Sequence, residues 1–261
     1  MNALAARRRH PAAIALLLLL GLIVTGVAYS ALAPQPARAA TASADQIEQG
    51  KKLFLANCST CHGMQAQGTK YGPSLAGVGA AAVDFQMGTG RMPMAGPNVQ
   101  APRNSEVRFT QEEINAVAAY IASLAPGPAI PDEESSSGQG GDVALGGALF
   151  RVNCAMCHNF AGSGGALTRG KYAPNLRNVS GQHIYEAMVT GPQSMPVFND
   201  DNISPEGKNA IVAYLHAVDK QKNVGGMNLG NLGPVSEGLF VWIFGLGTMI
   251  GFAVWLGRKA A

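Results

Sequence analysis

Two stretches, NCSTCHG at 57–63 and NCAMCHN at 153–159, use all four cysteines of a 261-residue chain. Each sets two thiols three positions apart and follows the second with a histidine. The likeness extends beyond the motif. At an offset of 96, Gly50, Leu53, Phe54, Asn57, Cys58, Cys61 and His62 match Gly146, Leu149, Phe150, Asn153, Cys154, Cys157 and His158. At an offset of 101, Tyr71, Pro73, Leu75, Val78, Met87, Thr89 and Gly90 match Tyr172, Pro174, Leu176, Val179, Met188, Thr190 and Gly191. Both copies close on similar apolar-periodic segments, EEINAVAAYIASL and GKNAIVAYLHAV, with Tyr120 aligned on Tyr214. The chain therefore holds a tandem duplication of a unit of about 80 residues, not a solenoid.

A unit of this size, rich in Gly and Pro, has too little core to be stable on a few helices alone. CxxCH implies what fills it. Two thiols on the turn after a helix can add to the vinyl groups of a haem as thioethers, and the adjacent histidine then becomes the proximal iron ligand. One accidental CxxCH in a chain of this length has a chance on the order of one in a thousand. Two at matched positions of a duplication point to two covalently bound haem c groups, on Cys58 and Cys61 and on Cys154 and Cys157. A disulfide framework leaves both histidines unexplained. A thioredoxin-like dithiol wants alternating strands and helices. Zinc would need ligands gathered from both copies.

The sixth ligands are expected on extended loops. GRMPM (90–94) and GPQSMPVF (191–198) each hold a Met-Pro pair downstream of their CxxCH. Proline biases Met92 and Met195 away from helix, leaving a thioether free to reach the distal face of the ring. His62 with Met92 and His158 with Met195 are thus the expected axial pairs. Met87 and Met188 fall in helical segments, where methionine usually fills core. Met94 has no counterpart, nor have His183 and His216, which are read as surface or core histidines. His/Met ligation raises the reduction potential and leaves no open position at iron, which favours electron transfer over chemistry on a substrate.

The ends of the chain are membrane-related. Arg7, Arg8 and Arg9 precede an apolar run from Ala12 to Ala33, followed by a small-x-small motif at Ala37-Arg38-Ala39. Residues 1–40 are read as a signal peptide or an N-terminal anchor. Near the C-terminus, Gly238 to Gly257 carry no charge and are stopped by Arg258 and Lys259. That pattern, with Phe240, Trp242 and Trp255 towards its ends, predicts a transmembrane helix over 238–257. Both basic clusters then lie in the cytoplasm and the intervening domains outside it. The net charge of +3 belongs to these ends. From Asp45 to Ala125 six bases face six acids, so no basic face suited to nucleic acid exists. Domain 1 is expected over 45–125, an exposed linker over 126–141, domain 2 over 142–222 and a Gly-rich connector over 223–237. Two insertions distinguish the copies, Ala95–Thr110 in the first and Gly162–Lys171 in the second.

Both units resemble class I cytochrome c domains, and the fold expected is all-α. In that family the helix carrying Gly50 and Phe54 crosses the one carrying Tyr120, as Gly146 and Phe150 would cross the helix of Tyr214. The order of leader, two CxxCH domains and C-terminal span resembles the dihaem cytochrome c subunit, cytochrome cc, of the actinobacterial menaquinol:cytochrome c reductase. That resemblance implies an electron-transfer subunit at the cell membrane. It would work beside cytochrome b and Rieske iron-sulfur subunits and pass electrons to the dinuclear copper centre of a haem-copper oxidase. It also implies that one haem, the first by its longer loop Ala95–Thr110, faces an outside partner. The alternatives are a tethered dihaem carrier or oxidase subunit outside any bc complex, and a dihaem enzyme with an open haem site.

Overall fold

A computed structural model of the chain describes residues 11–32, 42–159, 161–221 and 234–259. Arg7–Arg9, the small-residue motif at 37–40 and most of the 223–237 connector lie outside those residues. Two compact units are present, divided at Thr41. The first holds α1 (Pro11–Leu32), 22 residues long. A rise of about 1.5 Å per residue makes it about 33 Å long. It is apolar on every side and none of its 12–29 window is buried, the surface expected of a helix meant for lipid.

The second unit opens with α2 (Ala44–Asn57), α3 (Ser59–His62), α4 (Gly79–Gly88) and α5 (Gln111–Leu124). A short α6 (Glu133–Ser136) follows, then α7 (Val143–Asn153), α8 (Ala155–His158), α9 (Gly181–Thr190) and α10 (Pro205–Lys220). Among the described residues the strands are β1 (Gly165–Ala166) and β2 (Tyr172–Ala173), an antiparallel hairpin built from the second insertion. The all-α expectation holds. The chain closes with α11 (Pro234–Phe240), a π-helical stretch (Val241–Leu246) and α12 (Gly247–Lys259). Helical φ and ψ at Phe240 and Gly247 join these into one rod. Its 24 residues from Ser236 to Lys259 are apolar and uncovered, and Lys259 folds back over the Trp255 ring at 4.6 Å.

Local chemistry starts most of these helices. Ser43, Asp142, Ser180 and Ser204 accept a backbone N–H of the first turn on their side chains, with Pro205 at the first position of α10. Thr110 and Glu113 form a reciprocal capping box. In each domain the first and last long helices cross at a glycine. A Cβ on Gly50 would stand 1.9 Å from the Ala116 carbonyl oxygen, and one on Gly146 would stand 1.9 Å from that of Ala210. Glycine is thus required for the backbones to touch. Beside each crossing lies an aromatic pair, Phe54 with Tyr120 at 5.4 Å and Phe150 with Tyr214 at 5.5 Å. Phe54 and Phe150 are fully buried at the centres of two separate cores.

The segment at 126–141, expected as an exposed linker, is exposed at 126–127, 132–134 and 139–140 but packs on the domains in between. The Pro128 carbonyl accepts from Ala81 N–H at 3.1 Å, next to Gly79. Ser136 is buried, and the Gly138 N–H donates to Asn209 Oδ1 at 2.7 Å. Its prolines and glycines fit the surfaces of both domains instead of keeping the chain free. The domains also meet directly, α4 lying against α9. Gln100, in the first insertion, donates through Nε2 to the Tyr172 carbonyl at 2.8 Å and accepts from the Tyr172 N–H at 2.9 Å. The first insertion therefore meets the second domain just after that domain's own insertion.

Candidate haem sites

Each motif begins where a long helix ends. The Cys58 N–H donates to the Phe54 carbonyl and the Cys154 N–H to that of Phe150, both at 2.8 Å. One turn, α3 or α8, then carries the second cysteine and the histidine. Positive φ at Gly63 and Asn159 turns the chain away after each histidine. Matched bonds hold the following loops, Gly68 N–H to the His62 carbonyl and Gly164 N–H to that of His158. The two halves therefore agree in backbone as they do in sequence.

These loops orient the imidazoles. His62 Nδ1 lies 2.8 Å from the Pro73 carbonyl oxygen and His158 Nδ1 lies 3.0 Å from that of Pro174. A carbonyl only accepts, so Nδ1 carries the proton and Nε2 keeps its lone pair for a metal. Burial holds the His158 pKa below the usual histidine value against the opposing pull of the Pro174 carbonyl, which keeps the ring neutral. Gly72 leaves room beside the first ring, since a Cβ there would come within 3.1 Å of His62.

Burial, then the neighbouring Cys61, pushes the Cys58 pKa up to about 11; burial and Cys157 do the same at Cys154. All four cysteines are free of disulfides.

In the second domain the expected ligands share one cleft. Cys154, Cys157, His158 and Met195 line it, with Phe150, Leu176, Met188 and Phe198 as apolar walls. It measures about 1170 Å³ with its open mouth, room enough for a macrocycle. Met195 sits half-buried against the core on a loop fixed by the Phe198 N–H to Met188 carbonyl bond. Met188 itself is 2% exposed and belongs to the core. In the first domain Met92 likewise packs against the core with Cys58, while Met87 is buried within it. In the second cleft the residues thus fit a covalently held haem.

Comparison with known proteins agrees. Residues 47–125 match the cytochrome c family, and residues 141–215 match the family described as cytochrome c oxidase, cbb3-type, subunit III. The cytochrome bc1 complex cytochrome c subunit of Mycobacterium leprae is 45% identical over 254 residues, covering 94% of this chain and 87% of that protein. The same subunit of Corynebacterium diphtheriae is 43% identical over 97% of this chain and 95% of its own length. The chain belongs to the family of cytochrome bc1 complex cytochrome c subunits. It carries two cytochrome c domains and binds two haem c groups covalently. A cbb3-type cytochrome c oxidase subunit of Rubrivivax gelatinosus is more distant, 27% identical over 75% of this chain.

Sequence reasoning missed what joins the two sites. His183, read as a surface or core histidine, places Nε2 3.6 Å from Asp84 Oδ2 of the other domain. Gln182 Nε2 donates to Asp84 Oδ2 at 2.9 Å and to Glu186 Oε1 at 3.2 Å, while Gln111 donates to Asp84 Oδ1 at 2.6 Å. Burial resists ionisation of Asp84, but the bonds from His183, Gln111 and Glu186 outweigh it and hold its pKa below the usual range. Glu186, fully buried and facing Asp84, is pushed up to about 9 by burial and by that charge. It keeps its proton at neutral pH. The spacing of His183 and Glu186 on one face of α9 was the available sign. It has no counterpart in the first copy.

Proposed function

We propose that this chain is the dihaem electron-transfer subunit of a respiratory quinol:cytochrome c reductase. It takes electrons from the Rieske iron-sulfur protein and passes them to the copper centre of an attached haem-copper oxidase. Cys58 and Cys61 hold one haem and Cys154 and Cys157 the other, with His62 and Met92, and His158 and Met195, as axial ligands. Haem c supplies reversible one-electron chemistry at iron. The protein anchors the ring, fixes the ligand tautomer through Pro73 and Pro174, and excludes water with the apolar walls. The observation that carries the reading is the second cleft, where His158 and Met195 line one cavity with both cysteines. With both faces taken, no position is left for a substrate, and the chain works as a conductor without a catalytic site of its own.

The architecture supports a place beside cytochrome b in a membrane. Residues 1–40 serve as leader or anchor, 45–125 and 142–222 as the haem domains, and 238–257 as the span. By the positive-inside rule Arg258 and Lys259 favour a cytoplasmic C-terminus, which would leave the haem domains on the opposite side. The helical rod could cross a hydrocarbon core of about 30 Å. The test is to tag the chain, solubilise membranes in mild detergent and record the reduced-minus-oxidised spectrum of what co-purifies. Bands from b-type and a-type haem beside the c-type band are expected. A c-type band alone, from membranes whose other complexes survive the same detergent, would leave a tethered dihaem carrier and end the proposal.

A further inference from the structure

We infer that the propionate carboxylates of the second haem are held by the first domain, through Arg91 and Arg103. The inference rests on the haem reading of the second cleft. That cleft is not built by the second domain alone: Phe85, Thr89, Arg91, Gln100 and Arg103 form part of its wall. All five come from α4 or from the loop that follows it. Arg91 is 8% exposed and its guanidinium lies 4.7 Å from the centre of the Phe85 ring.

Arg91 is a buried cation and needs an anion, and Arg103, exposed on the same wall, can share it. Among the described residues neither arginine has a carboxylate within 4.0 Å. Glu106, three residues from Arg103, forms no ion pair with either arginine, and Asp84 already accepts from Gln111 and Gln182 and faces His183. Glu186 is protonated and faces Asp84. A haem brings two carboxylates of its own, and the planar guanidinium suits such a group with paired N–H donors. The loop bearing these arginines is fixed in place, since Gln100 grips the Tyr172 backbone twice and Ala101 N–H reaches Gln193 Oε1 at 3.5 Å. The first insertion therefore serves the neighbouring domain.

The consequence is measurable. A positive charge beside a haem favours its reduced form, so removing one lowers the midpoint potential of that haem most. Detergent-purified full-length holoprotein is titrated as wild type, Arg91→Gln, Arg103→Gln, the double variant and Arg91→Lys. Met195→His identifies the wave of the second haem. The expected result is a fall in that wave, largest in the double variant and smaller in Arg91→Lys; Arg103→Gln leaves the other wave unmoved, and Arg91→Gln, next to Met92, moves it less than the second. The propionate bending mode in resonance Raman should shift in the same variants. Arg103 is at an exposed position, so Arg103→Gln carries the test if Arg91→Gln does not accumulate. Two unmoved waves, or equal shifts in both, would overturn the inference. Fewer than two c-type haems per wild-type chain would instead overturn the haem reading beneath it.

Discussion

Glu186 keeps a proton that an ordinary glutamate loses. Its folded pKa of about 9 lies above the unfolded value of about 4.3, so the folded chain holds this proton through a window in which the unfolded chain releases it. The stability it contributes is complete below the unfolded value and is lost as pH rises through the folded one. The slope is at most about 1.4 kcal/mol per pH unit. Asp84 is shifted the other way, so its contribution is lost only as pH falls through its own depressed value. Glu186→Gln keeps the shape and a donor facing Asp84 but removes the titration. Thermal unfolding temperatures of the wild type should fall from about pH 5 to about pH 9, and those of Glu186→Gln should fall less. Parallel pH profiles would show that Glu186 does not titrate in this window.

At the scale of elements, the repeated helix crossing is the strongest constraint on each domain. Gly146 and the Ala210 carbonyl leave no space for a methyl group, and the clash is with backbone that cannot rotate away. Gly146→Ala should therefore cost about 1–3 kcal/mol or more, read as a lower unfolding temperature with both haems still attached. An unchanged unfolding temperature would mean the crossing is looser than described. This crossing was legible in the sequence because both copies keep the same glycine, phenylalanine and tyrosine. So were the prolines whose carbonyls orient the histidines, matched at 73 and 174. The contact between domains was not legible. Gln100, Asp84 and His183 have no repeat partners, and their meaning comes from pairing across nearly a hundred residues. Residues 126–141 misled in part for a related reason. Ser, Gly and Pro signal an irregular backbone, but burial is decided by the surfaces it meets, as Ser136 against Gly181 illustrates.

For the whole molecule, the packed 126–141 segment and the α4–α9 contact make the two haem domains one body. Such a body suits a relay, because the distance between the sites is fixed and not left to a moving tether. The insertion at 95–110 reaches Tyr172 and Gln193 through Gln100 and Ala101, while most of its other residues stay exposed. The chain would then conduct between fixed partners without a diffusing carrier. The most direct measurement is stopped-flow mixing of the detergent-purified complex with quinol and oxygen, without added soluble cytochrome c, while following the c-type band. The account predicts that this band is reduced by quinol, reoxidised by oxygen and turned over at the rate of oxygen consumption. Oxygen uptake that proceeds while the c-type band stays in one redox state would contradict it.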